Sequence, residues 1–339
     1  MVRDDTAGNP AADKPGERKG ASWRRWGVSL VVFLIVLGWI DFGNFRAALS
    51  RIRFSPLLLG FLLLTLALVF LRAGRFWLLL KTQGNPLSLR DAIRVQWTAA
   101  FFSLLLPGTL GADGWRIWAV SRADGRTEAA VVAVAMDRVI GFAGQIANVL
   151  LAWAIFGGLL LRRETGGLLL DAGIFCLAAL AALGLLGSAR VAGALTRLSV
   201  LRSRRVRQAL ARFQEGLRLL RRRPGRLPVI LAVAAAGHFL NVLAVFVLAR
   251  GLGVDLVFGY YMALIPPALM ATGLPISFTG FGVRDLTYVS LFRSLGVPGE
   301  IMLAVSVTEF GLTVLIRLIG GLFYLFSAGA DAAQRKPTV

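Results

Sequence analysis

One cysteine and one histidine in 339 residues leave little with which to build redox, metal or nucleophilic chemistry. Cys176 stands inside an apolar run with no second cysteine to pair with, so it forms no intramolecular disulfide and is read as a small packing residue. His238 has no evident partners for a zinc site or a Ser-His-Asp triad. No Walker A sequence is present, so ATP does not drive this chain from within. Acidic residues are scarce: 18 Asp and Glu stand against 38 Lys and Arg, for a net charge of +20. Such an excess would suit nucleic acid. However, the arginines cluster in loops between apolar runs, the pattern of positive-inside topology and contact with anionic lipid. No nucleic-acid partner, metal or cofactor is therefore expected.

What the chain has in abundance is hydrocarbon. Hydrophobic residues make up 57% of it and its mean hydropathy is +0.71, which excludes an ordinary soluble domain. A spanning helix needs about 20 mostly apolar residues. Six stretches qualify: Trp26–Ile40 (short), Ser55–Leu71, Glu128–Leu161, Leu168–Ser188, Val229–Arg250 and Glu300–Phe326. Two more, Ala92–Leu106 and Phe258–Leu274, end at Leu-Pro and run through glycine into another apolar stretch. These read as re-entrant hairpins, helices that descend, break and return. The expected fold is an all-α polytopic membrane protein with about six full spans and two broken-helix hairpins, seven or eight hydrophobic segments by simple counting.

Residues 1–25 are polar and read as a disordered cytoplasmic N-terminus, 26–327 as one transmembrane domain and 328–339 as a cytoplasmic tail. The segment Arg190–Arg226, dense in arginine with the single acid Glu215, sets the cytoplasmic side and places both termini there. Within it Val206, Leu210, Phe213, Leu217 and Leu220 recur at helical spacing. Both an amphipathic helix on anionic lipid and a charged linker fit that pattern.

An internal repeat organises the rest. Leu106-Pro107 is followed by Asp113-Gly114-Trp115-Arg116, and Leu274-Pro275 by Gly282-Val283-Arg284-Asp285. Arg138-Val-Ile-Gly141 matches Arg317-Leu-Ile-Gly320, and Arg72 and Arg75 correspond in place to His238 and Asn241. The halves, about 54–161 and 228–327, have opposite orientation by the arginine rule, an inverted repeat of the kind transporters use. Pro107 and Pro275 each break a helix, and the glycines let the chain turn. The half-helix that restarts carries unpaired N–H groups and partial positive charge, an anion site. Arg116 and Arg284 sit at those restarts. An arginine within the membrane is costly and must face a cavity or a partner. Asp113, Asp137, Asp285 and Glu309 are the available acids. Substrate binding is therefore assigned to Arg116, Arg284, Asp113, Asp285, Gly114, Gly282, Pro107 and Pro275, with Asp137, Arg138, Glu309, Arg317, His238, Arg72 and Arg75 in supporting or coupling roles. Trp115 and Trp118 are read as packing residues rather than cavity wall.

The stretches Pro107–Arg138 and Leu274–Gly296 resemble the transmembrane region of lysylphosphatidylglycerol synthases, a family that includes stand-alone flippase-like membrane proteins. The resemblance extends from about Trp26 to Phe326. It rests on Leu-Pro-Gly-Thr-Leu-Gly-Ala-Asp-Gly-Trp-Arg, Met-Asp-Arg-Val-Ile-Gly and Leu-Pro-Ile-Ser-Phe-Thr-Gly-Phe-Gly-Val-Arg-Asp. It implies movement of lipids between leaflets, with Asp113 and Arg116, Asp137 and Arg138, and Gly280, Gly282, Arg284 and Asp285 as motif positions. Asp137 and Asp285 stand where the family pattern leads one to expect glutamate. The sequence stops at Val339 without the aminoacyl-transferase domain of the bifunctional members, so no enzyme activity is expected. The expected function is lipid translocation across a bacterial inner membrane, with anionic or zwitterionic lipids as partners. The alternatives are a small-anion secondary transporter, or a non-catalytic partner of a lipid-modifying or glycosyl-transferring enzyme.

Overall fold

The computed structural model describes residues 56–104, 110–161, 224–272 and 283–334, with isolated helical positions between 167 and 181 and a helical stretch at 214–220. Eight helices carry the architecture: α1 (Pro56–Thr82), α2 (Leu89–Phe102), α3 (Leu110–Asp124), α4 (Thr127–Leu160), α5 (Arg226–Gly251), α6 (Phe258–Thr272), α7 (Val283–Arg293) and α8 (Gly299–Gln334). Among the described residues there is no strand. A helix satisfies its own backbone hydrogen bonds, which a chain in hydrocarbon requires.

Four helices are long and apolar enough to cross a membrane: α1, α4, α5 and the Gly299–Tyr324 part of α8. They coincide with four of the six spans read from the sequence, and α8 continues past Phe326 to Gln334. The chain is an all-α polytopic membrane protein. The N-terminal 1–25 and Trp26–Ile40 lie outside the described residues, as does most of Leu168–Ser188 and of Arg190–Arg226. In the part of that basic segment that is described, Leu217 and Leu220 pack on Leu79, Met136 and Ile230. Its apolar side there is spent on the helices, not on lipid.

The remaining helices are short. With 14, 15, 15 and 11 residues, α2, α3, α6 and α7 reach about 16–23 Å at 1.5 Å per residue, less than the ~30 Å hydrocarbon core. The helices of each pair, α2–α3 and α6–α7, pack against each other. Pro107, Pro275, Gly280 and Gly282, where the sequence places the helix breaks, lie outside the described residues. Ser88 caps α2, its Oγ accepting from the Asp91 N–H at 3.1 Å. The two hairpins differ in burial. Tyr260 to Ile265 of α6 are each 2% exposed or less, so this helix is apolar and enclosed on all sides, the mark of a core element.

Most helix contacts follow the exchange that the sequence repeat predicts. Exchanging α1–α4 with α5–α8 maps α1–α2 onto α5–α6, α3–α4 onto α7–α8, α4–α6 onto α8–α2, and α1–α5 onto itself. The α4–α5 contact is broad whereas its counterpart α1–α8 is slight. Glycines set the closest approaches. A β-carbon at Gly144 would lie 2.8 Å from the Ala234 backbone, and one at Gly320 would overlap the Trp97 carbonyl oxygen. Gly144→Ala and Gly320→Ala should each lower stability by about 1–3 kcal/mol through overpacking. Gly158→Ala, with nothing within 4 Å, should be neutral or stabilising by up to about 1 kcal/mol. Thermal unfolding in detergent separates the three.

Candidate functional site

Helical spacing gathers the polar residues of the long helices onto shared faces. Arg72 and Arg75 are one turn apart on α1, as are His238 and Asn241 on α5. Asp113 and Arg116 share a face of α3. Asp137, Arg138, Gly141 and Gln145 occupy adjoining positions on α4, and Glu309, Thr313, Ile316 and Arg317 follow one another down α8. All but Asp113 open on a single cavity of about 330 Å³, to which α7 adds Arg284 and α2 adds Gln96. Six arginines (72, 75, 116, 138, 284 and 317) and two carboxylates, Asp137 and Glu309, stand in its wall.

Four of those arginines are held by acids. Arg75 Nε donates to Asp137 Oδ1 at 2.7 Å and Arg116 Nη1 to Asp137 Oδ2 at 2.9 Å. Arg116 Nη2 donates to Asp113 Oδ1 at 2.7 Å, and Arg138 donates to Asp113 Oδ2 through Nε at 2.7 Å and also through Nη2. The result is an unbroken chain, Arg75–Asp137–Arg116–Asp113–Arg138, tying α1, α3 and α4 together. Phe76 packs its ring 5.4 Å from the Arg116 guanidinium, a cation–π contact. In the other half Arg284 Nε donates to Ser306 Oγ at 3.0 Å, and Nη2 donates to the Ser306 carbonyl at 2.8 Å and to Asp285 Oδ1 at 3.3 Å. Ser306 in turn donates to Asp285, and Glu309 lies 4.0 Å from Arg284 Nη1. Asp113 and Asp285 fall in the first turns of α3 and α7, so the partial positive charge at each helix start is met by the protein's own carboxylate.

Arg72 and Arg317 differ. No carboxylate among the described residues comes within 4.0 Å of either. Both are only partly buried and both face the cavity.

Of the residues the sequence nominated, Arg72, Arg75, Arg116, Asp137, Arg138, His238, Arg284, Glu309 and Arg317 meet in this cavity. Asp113 and Asp285 stand behind it, holding lining arginines. Gly114 is exposed and outside the wall, and Pro107, Pro275 and Gly282 lie outside the described residues. Trp115 stacks on Phe102 at 4.4 Å and Trp118 is half exposed. Neither lines the cavity. His238 packs beside Gly141, where a β-carbon would touch His238 Nε2 at 3.8 Å and the Arg75 guanidinium at 3.6 Å. Sequence reasoning missed Gln96, Gln145 and Ser306. Gln145 was findable, because an amide in the middle of an apolar span invites a functional reading. Ser306 was not, because serine is common in such helices and only its contacts set it apart.

A family model described as "Lysylphosphatidylglycerol synthase TM region" matches residues 26–321. No curated protein matches the chain.

The arginine chain makes a direct forecast. Asp137 is 6% exposed at its side chain and bridges two guanidinium groups, so Asp137→Ala leaves buried Arg75 without a carboxylate and Arg116 with Asp113 alone, and should cost about 3–5 kcal/mol. Removing Asp255, whose pair with Arg250 is exposed, should cost about 0–1 kcal/mol. Chemical or thermal unfolding of the two variants in the same detergent checks the contrast.

Proposed function

The chain belongs to the lysylphosphatidylglycerol synthase TM-region family, and on that premise we propose that it moves lipids between the leaflets of a bacterial inner membrane, without enzymatic activity of its own. The observation that carries the proposal is the single cavity walled by six arginines from both halves of the molecule. Its volume falls at the lower end of small-ligand sites, about 300–1,000 Å³. A polar headgroup fits such a space and a two-tailed lipid does not, so the tails stay in the bilayer while the headgroup enters. The twofold exchange of helix contacts supports a mechanism in which one half rocks against the other around a fixed central site. In this reading the halves are inverted and both termini are cytoplasmic. Asp113, Asp137, Asp285 and Glu309 are the groups available to couple the movement to an ion. Arg116 and Arg284 hold the hairpins α2–α3 and α6–α7 to the long helices, so their loss should uncouple hairpin from bundle.

Reconstitution in liposomes with headgroup-labelled lipids and a membrane-impermeant bleaching reagent tests this. Wild type should expose one class of anionic or zwitterionic lipid completely, where empty liposomes expose about half. Arg116→Ala and Arg284→Ala should reduce the rate at least tenfold while still inserting, the loss associated with a buried charge-assisted pair. No lipid moving faster than in empty liposomes would count against the proposal, and normal movement in both variants would remove these arginines from the mechanism.

A further inference from the structure

The cavity holds more positive charge than its own acids neutralise, and the excess is localised. Arg75, Arg116, Arg138 and Arg284 are each fixed by hydrogen bonds to Asp113, Asp137 or Asp285. Arg72 and Arg317 are not. Arg72 is surrounded by the like charges of Arg75, Arg317 and Arg116 and opposed by Asp137 alone, and Arg317 by Arg284 against Glu309. Two guanidinium groups held within reach of each other's field and short of carboxylate partners are poorly placed for stability, since like charges repel and ion desolvation is not offset. They are well placed for an anion that enters the space they share. A second observation points the same way. Gln96 and Gln145, 8% and 7% exposed, line the cavity, and the Oε1 atom of each has no hydrogen-bond partner among the described residues. Buried amide groups without partners are costly, and a ligand with polar substituents would complete them.

We propose that Arg72 on α1 and Arg317 on α8 together form the receptor for a phosphate group, with Gln96 and Gln145 receiving the polar substituent esterified to it. The planar fork of an arginine matches phosphate oxygens in two-point contact, and two forks, one from α1 and one from α8, would share one phosphate between the halves of the molecule. Arg116 and Arg284 then serve as scaffold rather than receptor. The placement favours a lipid phosphate over a free one. Arg317 is flanked on α8 by Leu315 and Leu318, which are exposed on the outer surface, so one helix thickness separates the phosphate site from a face suited to acyl chains. The inference rests on the translocation reading for that lipid source, and on the cavity alone for the phosphate site.

The test uses full-length protein in neutral detergent, with inorganic phosphate and dihexanoyl phosphatidylglycerol as probes. It compares wild type with Arg72→Gln, Arg317→Gln, the lysine versions of both, and Arg250→Gln as a control outside the cavity. Binding is read from titration and stability from thermal unfolding. Each glutamine variant should bind the lipid probe at least about tenfold more weakly, the lysine variants should recover part of the loss, and Arg250→Gln should match wild type. Ligand-free Arg72→Gln and Arg317→Gln should unfold no earlier than wild type, because they relieve repulsion, whereas Arg75→Gln and Arg116→Gln should unfold earlier because each removes one of the two cations that hold buried Asp137. Wild-type affinity for both probes in the folded glutamine variants overturns the site, as does failure of wild type to bind either probe. Ligand-free unfolding of these variants as early as Arg116→Gln also overturns it, by showing a structural role. Stronger binding of phosphatidylglycerol than of inorganic phosphate supports the lipid source. Equal or weaker binding overturns that source and assigns the site to a soluble anion. Phosphate binding that depends on Arg72 and Arg317 in a protein that moves no lipid would refute translocation and leave this site standing.

Discussion

The cost of placing a guanidinium group among apolar helices governs this structure. A charge at such depth is tolerated only against a partner or an aqueous cavity. The protein meets that condition by sharing: Asp137 serves both Arg75 and Arg116, and Asp113 serves both Arg116 and Arg138. Asp137 on α4 thereby reaches both α1 and α3, and Asp113 links α3 to α4, so the electrostatic solution is also the packing solution. The short helix α3 is anchored to α1 and α4 by Val120 and Ile117 and, at its charged end, through Arg116. The close glycine contacts set other spacings: Gly144 draws α4 onto α5 and Gly320 draws α8 onto α2.

The two halves satisfy the same constraint by different means. The arginines repeat: Arg116 corresponds to Arg284 and Arg138 to Arg317. The acids do not. The sequence register that pairs the arginines sets Asp137 against Ile316, and the second half relies instead on Asp285, beside its arginine, and Glu309, two turns before Arg317 on α8. Asp285 is fully buried and bound by Ser306, whereas Glu309 faces the cavity. In consequence Arg138 is tied to Asp113 while its counterpart Arg317 is left to the cavity. A repeat in sequence has become an asymmetric charge pattern, and that asymmetry separates scaffold arginines from available ones.

Much of this was legible in the sequence. Four spans and the location of the arginines followed from apolar run length and from the rarity of charge within spans, and the short paired helices α2–α3 and α6–α7 fall where the sequence places its two hairpins. The spacing of Arg72 with Arg75 and of Asp113 with Arg116 placed each pair on one helix face. What could not be read was which arginine meets which acid, because that depends on how far α3 and α7 are drawn in and on the rotation of α1 and α8. The sequence therefore gave Arg116 and Arg284 prominence at the helix restarts, where local logic puts an anion. In the structure those starts carry Asp113 and Asp285. The apolar spacing of 206–220 was ambiguous for a related reason: a stripe of leucines does not say whether lipid or protein covers it, and at Leu217 and Leu220 it is protein.

A cavity of about 330 Å³ inside a bundle whose outer face carries Leu59, Leu63, Phe70, Ile155, Leu315 and Leu322 exposed is a two-solvent arrangement. Charge is gathered within and hydrocarbon is presented without, with α1 and α8 as walls between them. Those two helices make only slight contact with each other, while their symmetry counterparts, α4 and α5, are packed broadly. Fewer contacts would have to separate between α1 and α8 than between α4 and α5 for a solute to enter from that side. The arginines without acid partners stand on those two helices. A molecule with one charged end and one apolar end would be accommodated along that boundary with each end in the medium that suits it. That match between the two media of the protein and the two ends of a lipid is the physical basis for reading the cavity as a headgroup site.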